Sequence, residues 1–477
     1  MEKIEILIPA GAAKILRVLE DHGYEAYVVG GCVRDSLLGR NPHDWDITTS
    51  ALPLQVKALF RRTIDTGLKH GTVTIMENGE PYEVTTYRVD GEYMDGRNPS
   101  EVTFTASLKE DLQRRDFTIN AMAYSEKNGL QDFFGGLQDL KNKRIRAVGD
   151  PMKRFGEDAL RIMRAVRFAA QLGYEIEEET VRAMKILAPT LSKVSAERIS
   201  SELEKTLLSP HPEKLRMMYE AGITAVILPE FDRCMETPPN NPHHIYNVGE
   251  HTIVSIRNAR PDKVLRLVML LHDFGKSVCR TTDENGIDHF YGHPDSSAEM
   301  AGKILRRLKS DNATRGAVVK LVRFHDRAAG LTERSVRKMI REIGEDLFPL
   351  YLEVKEADTL AQSEYKRQEK LDYLADVRRI YRKILDEGDC LTLRDLAVNG
   401  SDLIEAGMEP GKQIGEVLGA MLEDVLEDPS HNEKGYLMDK YMPHSQRCPV
   451  KNRPGCEQPV SYIKQGVSVL TKTVGNK

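Results

Sequence analysis

The sequence is short of the features that most quickly place a chain. It has no run of ~18 apolar residues, so nothing in it reads as a membrane span. Its start, "MEKIEILIPAGAAKILRVLEDHG", is charged and lacks the apolar core of a signal peptide. Six cysteines (Cys32, Cys234, Cys279, Cys390, Cys448 and Cys456) are scattered over 477 residues without CxxC spacing, which fits free thiols in a reducing compartment. A basic excess is missing too. With 68 Lys and Arg against 73 Asp and Glu the net charge is −5, so any nucleic-acid site has to be local. No internal repeat or low-complexity tract stands out. These absences leave a soluble, cytoplasmic protein of two to four domains, at roughly 100–200 residues per domain.

Strand and turn signals crowd the first 140 residues. "YEAYVVGG" reads as a strand running into a glycine turn, "VRDSLLG" as a short helix stopped by Gly39, and "WDITT" as the next strand. "GTVTIMENGEPYEVTTYR" alternates β-formers on both sides of Asn78-Gly79, the signature of a hairpin. After Asp150-Pro151 the pattern is almost entirely helical, with "PPNNPHH" (238–244) as a break. The expected class is α+β, a mixed-sheet head over 1–150 followed by helical segments over 151–237, 238–365 and 366–477.

Within the head, Asp44 and Asp46 are two residues apart. In a strand they would face the same side. Paired carboxylates repel unless protonated or bridged by a hard divalent cation. A bare DxD next to Asn-Pro-His is as readily a solvated turn. The upstream Gly30-Gly31 shifts that balance, because a strand, two glycines and a helix start leave backbone N–H groups open to phosphate, with Arg34 in the first turn. A phosphate cradle beside a metal pair suits nucleotidyl transfer.

"GGCVRDSLLGRNPHDWDITT" is followed in order by "DLQRRDFTINAMAY" (111–124), "DFFGGLQDL" (132–140) and "RFGEDALRIMRAVRFAAQLG" (154–173). This series resembles the class II tRNA nucleotidyltransferase and bacterial poly(A) polymerase family over roughly residues 20–230. The resemblance implies a DNA polymerase β-like nucleotidyltransferase head. It implies Mg2+ on Asp44 and Asp46 as the catalytic pair, and nucleotide triphosphate contacts from Gly31, Arg34 and Arg115, with Arg114 a neighbour and Asp116 orienting an arginine. Glu83 is open to two readings, a third acidic partner or a structural residue. The family's base-reading motif falls on Glu157, Asp158 and Arg161. Residues at i and i+3 of one helix share a face, so Asp158 and Arg161 could meet one base, favouring the amine-bearing C and A over U and G. Arg164 and Arg167 extend the stripe, in a stretch (141–168) with nine Lys/Arg against three acids. That patch is either a solvated face or the local site for triphosphate and RNA backbone. The polar "RVDGEYMDGRNPSEVTF" (88–104) resembles the mobile loop of members that add a complete CCA.

A second constellation follows: His251, His272-Asp273 after the apolar "LVMLL", His293, His325 and Asp358. Histidines and carboxylates on separate helices can converge on metal in a bundle. Their order resembles the HD phosphohydrolase superfamily. That implies a divalent metal (Mn, Ni, Fe or Mg) on His251, His272, Asp273 and Asp358, with His293 and His325 supporting a second. The alternative is a relic that only grips tRNA. His243, His244 and His444 read as surface residues, and Cys448 with Cys456 do not make a metal pair.

The reading is an enzyme that adds C, C and A to tRNA from CTP and ATP, with an HD activity beside it. Its rivals are a poly(A) polymerase of the same fold, and an HD phosphohydrolase whose head only binds RNA. The sequence leaves the oligomeric state open.

Overall fold

The structure is a computed structural model that describes residues 4–91, 102–238, 246–284 and 286–442. Most of the 88–104 loop and of the 238–244 break lies outside these residues, as do His243, His244, His444, Cys448 and Cys456. The chain divides into two compact units, 1–383 and 384–477.

The first unit begins with the head. Its mixed sheet is built from β1 (Ala26–Val29), β2 (Ile47–Thr49), β3 (Thr63–Gly67), β4 (Thr72–Glu77) and β5 (Glu80–Thr86). A ribbon of β6 (Arg88–Asp90) and β7 (Val102–Phe104) stands apart, and β8 (Ala123–Ser125) and β9 (Gly129–Gln131) return to the sheet. The order is β3-β4-β5-β2-β1-β8-β9. β2 runs parallel to β5 and antiparallel to β1. The β4–β5 hairpin turns on Asn78 (φ 53°) and Gly79 (φ 87°), two successive positive-φ residues as the primed turns require. Its core gathers Tyr27, Val29, Tyr87, Leu112, Ala121 and Val148. Each large apolar side chain so buried is worth ~1.5–3 kcal/mol against exposure.

β2 starts at Ile47, later than "WDITT" suggested, so Asp44 and Asp46 lie in the segment leading into the strand. The ladder nevertheless reaches Asp46, whose carbonyl accepts from the Val29 N–H at 3.0 Å.

Helices take over from residue 151. The stretch 154–173, expected as one helix, is broken at Asp158: Pro151–Glu157 ends there and Leu160–Leu172 begins beyond it. Asp158 has extended backbone (φ −142°, ψ 105°). Its carboxylate caps the new helix by accepting from the Leu160 N–H at 3.0 Å. The second helix buries Ile162, Met163, Ala165, Val166 and Ala169 and stops at Gly173 in the left-handed conformation (φ 71°).

From 248 the unit is a bundle: Val248–Asn258, Lys263–Leu271, His293–Arg307, Asn312–Phe324, Glu333–Ile343 and Phe348–Ala361. Four of these helices start on a side-chain cap, Asn247, Asp262, Asp311 and Thr332. The second unit, considered by itself, packs Gly400–Glu405, Lys412–Glu427 and Lys434–Tyr441 around Leu403, Met421, Leu422, Val425 and Leu437.

Asp262 caps the helix whose end delivers His272, accepting from the Leu265 N–H at 3.0 Å. Asp262→Ala is expected to cost about 1 kcal/mol of stability, read as a lower thermal midpoint. An unchanged midpoint would contradict this account of the helix start.

Candidate functional site

In the head, the turn after β1 is set by Gly30 (φ 82°, ψ −125°), a conformation an L side chain rarely adopts, followed by the helix Gly31–Leu37. A Cβ at Gly30 would also meet an Arg115 guanidinium nitrogen at 3.0 Å. Arg115 therefore lies against the glycine turn. Its charge reaches Asp46 and pulls that carboxyl down. Partial burial, Glu83 and Asp44 push Asp46 the other way, and the net direction is upward. Burial is the largest of these effects, and the neighbouring acids add to it. The structure thus brings Asp44, Asp46, Glu83 and Arg115 together at the edge of β2 and β5. Asp44, Asp46 and Glu83 feel one another's charge, the donor chemistry a hard divalent cation takes, while the tight triads of ligand atoms among the described residues lie in the histidine bundle. Asp111, fully buried, steadies the arginines from behind: it pairs with Arg114 (2.8 Å) and Arg115 (3.6 Å) and accepts from the Thr48 hydroxyl (3.1 Å).

Deeper in, three guanidiniums converge on the ring of Phe168: Arg34 at 5.1 Å, Arg164 at 5.3 Å and Arg167 at 4.2 Å. Each has its own acid. Arg34 forms a two-pronged contact with Asp35 (both 2.9 Å) and donates to Asn120 (2.6 Å). Arg164 pairs with Asp116 (2.6 Å), and Arg167 with Glu202 (2.7 Å). Burial would raise Asp116, but Arg164, Arg161 and the Asn120 amide hold it at about 2. Asp116 does orient an arginine, as expected, and that arginine is Arg164.

The basic stripe expected from 141–168 is corrected by these pairs. Arg154 and Arg161 are buried and share Glu157 (2.9 and 2.6 Å), while Arg164 and Arg167 meet acids from distant segments. Only Lys141, Lys143, Arg144 and Lys153 of that stretch are exposed. The count along the sequence could not see Asp116 or Glu202. The shared helix face for Asp158 and Arg161 is corrected as well, since Asp158 precedes the helix. Asp158 pairs with Arg198 (2.7 Å), and Arg161 donates to the carbonyls of Arg154 (2.9 Å) and Arg114 (3.1 Å).

The histidine bundle forms a closed cluster. His251 Nε2 lies 2.9 Å from Asp358 and 3.4 Å from Asp273 Oδ2, and His272 Nε2 lies 3.3 Å from the same Oδ2. The other oxygen, Oδ1, faces His293 (3.5 Å) and His325 (3.6 Å). Asp273 thus stands between two groups, His251 with His272 and His293 with His325, whose ligand atoms all lie within 4.8 Å in each group. All four imidazoles turn Nδ1 to a backbone carbonyl: Ala361 (3.4 Å), Met269 (2.9 Å), Phe290 (2.9 Å) and Val322 (2.7 Å). A carbonyl only accepts, so each Nδ1 carries a proton and each Nε2 turns to the centre, where that of His251 donates to the Asp358 carboxylate. A histidine that binds metal is held in the same way, its far nitrogen donating to a carbonyl. Asp273 Oδ1 is buried with no hydrogen-bond donor, which suits a cation there. Burial disfavours charge on His272, yet Asp273 and Asp358 lift it to about 10. Burial would likewise raise Asp273, which His272 and Lys276 hold well below the ordinary carboxylate range.

The head matches the family of the Poly A polymerase head domain over residues 26–146. Residues 173–235 match "Probable RNA and SrmB- binding site of polymerase A", and 281–441 match "tRNA nucleotidyltransferase domain 2 putative". The CCA-adding enzyme of Leuconostoc mesenteroides is 56% identical over 197 residues, 41% of this chain and 49% of that one. At that level of identity the chain spans about half the length of the relative. The CCA-adding enzyme of Levilactobacillus brevis is 38% identical over 404 residues, 84% of this chain and 90% of that one. The chain belongs to the CCA-adding enzyme family. Among solved structures, the Bacillus stearothermophilus CCA-adding enzyme in complex with CTP is 31% identical with a TM-score of 0.67, over 93% of this chain and 100% of that one. The Thermotoga maritima CCA-adding enzyme complexed with tRNA shares the fold at 23% identity (TM-score 0.56, over 91% and 96%).

Within this CCA-adding enzyme fold, reading the sequence missed Asp111, Asn120, Phe168, Arg198 and Glu202. Asn120 and Asp111 sit inside a quoted motif. Arg198 and Glu202 lie on the helix Ala196–Leu207 and had no local signal. Lys276, which donates to Asp273 Oδ2 at 2.7 Å, follows the His-Asp pair closely enough to have been noticed.

The depressed Asp116 makes a pH prediction. A carboxyl at about 2 in the fold, against an ordinary 3.8, stabilises above pH 4. That stabilisation fades as pH falls through 2, and its size is about 2 kcal/mol. Asp116→Asn should therefore unfold more easily than wild type at pH 7, with the gap shrinking toward pH 2.5. A gap that does not change with pH would disprove the pairing.

Proposed function

We propose that the chain is a CCA-adding tRNA nucleotidyltransferase. The terminal hydroxyl of tRNA attacks the α-phosphorus of CTP, twice, and then of ATP. A new P–O bond forms as the α–β bridge breaks, the hydroxyl gives up its proton, and pyrophosphate leaves. The observation that carries this reading is the meeting of Asp44 and Asp46 with Arg115 at the glycine turn, in a chain 38% identical to a CCA-adding enzyme over 84% of its length.

Asp44 and Asp46 would hold Mg2+, with Glu83 beside them. When bound, the cation supplies charge to acidify the hydroxyl and neutralise pyrophosphate. Gly31 and Arg34 would meet the triphosphate, and Arg115, held by Asp111, would face it across the turn. Asp158 and Arg161 would read the base, from the helix break rather than from one helix face. Arg198 and Glu157 hold their side chains in place before a base arrives. Arg164 and Arg167 act through their packing on Phe168, which fixes the wall behind Arg34.

We read residues 1–150 as the head, 151–237 as the neck, 238–365 as an HD-like bundle and 366–477 as a tRNA-binding body. The described residues contain no helix long and apolar enough to cross a membrane, consistent with a cytoplasmic enzyme acting on tRNA. His251, His272, Asp273 and Asp358 would hold one divalent ion of the bundle, with His293 and His325 supporting a second beside Asp273. Such a centre supplies an activated water for phosphoester hydrolysis. The chain's own part is to aim four Nε2 atoms and to keep Asp273 ionised.

The deciding assay supplies tRNA lacking its terminus with CTP and ATP, separately and together. Wild type should add two C and then A. Asp46→Ala should lose at least 100-fold in rate, while His272→Ala keeps addition near wild type. Incorporation of A alone would point instead to a poly(A) polymerase, and addition surviving Asp46→Ala would end the proposal.

Metal content tests the bundle by itself. Protein exchanged against Mn2+ should retain about two ions per chain, and His293→Ala about one. Gly275→Ala should lose both ions, because a Cβ there would press on the His293 carbonyl (2.5 Å) and the Ser297 N–H (2.6 Å). Stoichiometric binding that ignores these changes would remove the metal reading.

A further inference from the structure

We propose that Gln362 is a positioning residue for the ion on His251, His272 and Asp273: its side-chain amide holds one oxygen of Asp358 so that the other stays turned to that ion. The proposal rests on reading the bundle as a metal centre and goes beyond it by naming a residue that sets how tightly the centre holds its ion.

Asp358 stands at the edge of the group. The ligand atoms that lie within 4.8 Å of one another belong to His251, His272 and Asp273. Asp358 joins them through Oδ1, 2.9 Å from His251 Nε2 and 3.7 Å from His272 Nε2. The last torsion of an aspartate is broad, so its carboxylate turns easily unless something holds it. Its second oxygen, Oδ2, accepts from the Gln362 side-chain amide at 2.9 Å. With Oδ2 engaged there, Oδ1 is the oxygen left for the centre.

The amide has one orientation in this place. Lys370 donates to its oxygen, and an ammonium cannot accept, so the NH2 group is the part that faces Asp358. An ionised carboxylate cannot donate, so its contact demands the same orientation.

The backbone brings the pieces together. Gln362 follows Asp358 by four residues, about one helical turn. The helix Phe348–Ala361 ends there, and Gln362 has already left it (φ −78°, ψ 173°). Arg367 donates to the Gln362 carbonyl, and Lys370 lies in the first turn of the next helix, Arg367–Glu387. The residue before Gln362, Ala361, accepts the Nδ1–H of His251 at 3.4 Å. Two neighbouring residues at one helix end thus hold two members of the same group, an imidazole by its far nitrogen and a carboxylate by its far oxygen. Gln362 is half-buried on the wall of a cavity of about 550 Å3, so replacing its amide opens no void in the core. Removing a partner of this kind costs roughly 10–100-fold in metal affinity.

The test titrates metal-free, full-length protein with Mn2+ and follows free Mn2+ by its paramagnetic resonance. In wild type, Gln362→Met should weaken one ion about tenfold or more and leave the affinity of the other as it was. In His293→Ala protein, where the ion on His251, His272 and Asp273 is the one that remains, the same change should weaken that ion. Gln362→Leu, which also keeps the bulk and loses the amide, should behave alike. The thermal midpoint of the metal-free protein should not move. Unchanged affinity in both variants overturns the proposal. Equal weakening of both ions with a lower metal-free midpoint overturns it too, because Gln362 would then serve the fold alone. Wild type that takes up no Mn2+ ends the metal reading and this role with it, whereas wild-type uptake that ignores Gln362 ends this role alone.

Discussion

The structure of the first unit turns on one neutralisation: three arginines around Phe168, each matched by an acid from a different place in the chain. Arg34 belongs to the glycine-turn helix, while Arg164 and Arg167 lie on the neck helix Leu160–Leu172. Asp116 comes from the segment that also carries Arg115, and Glu202 from the helix Ala196–Leu207. Buried like charges on one ring would repel by several kcal/mol without those partners. With them, the cluster becomes a joint that fixes the sheet, the Arg-Arg-Asp segment and the neck together. Edge-on packing of Phe117 against Phe168 (5.8 Å) closes the same joint. The acids at the edge of β2 and the residues at the helix break are therefore positioned by one rigid body.

The bundle uses the opposite device. There the negative groups gather at the centre and the imidazole protons point away from it. Three of the carbonyls that take an Nδ1 proton, those of Met269, Val322 and Ala361, lie in the last turn of a helix, and the fourth, Phe290, lies in the loop before His293–Arg307. A structural histidine core has no need for four equivalent tautomers. One buried carboxylate with a different pair of imidazoles at each oxygen is also a poor packing unit without a cation, since Oδ1 is left without a donor. Lys276 meets only Oδ2. These features fit the two groups of ligand atoms that could hold a metal ion.

Much of this was legible in the sequence, for identifiable reasons. The hairpin at Asn78-Gly79 and the stop at Gly39 follow from backbone chemistry local to a few residues. The aspartate pair, Arg115 and the six His and Asp of the bundle stood out because their residue types are rare in that company. What could not be read was pairing at long range. Nine basic residues against three acids over 141–168 looked like a positive surface, yet the acids that cancel it are 48 residues upstream of Arg164 and 35 residues downstream of Arg167. The break at Asp158 was hidden as well. Strong helix formers surround it, and only the capping bond to Leu160 and the pull of Arg198 explain why the helix stops there.

The second unit shows how charge constrains an RNA-binding assignment. Over residues 384–442 there are fourteen Asp and Glu and only four Lys and Arg, whereas 443–477 adds six Lys and Arg against one Glu. Three of the four are paired within the unit, Lys434 with Asp402 (2.6 Å), Lys440 with Asp424 (2.8 Å) and Lys412 with Glu416 (3.5 Å). A surface of that sign gains nothing from counterion release and repels a phosphate backbone at long range. If this stretch touches tRNA, it has to do so through shape, hydroxyl and backbone contacts at short range. Positive charge for a phosphate backbone is available instead from the six Lys and Arg of 443–477 and from the exposed Lys141, Lys143, Arg144 and Lys153 of the first unit.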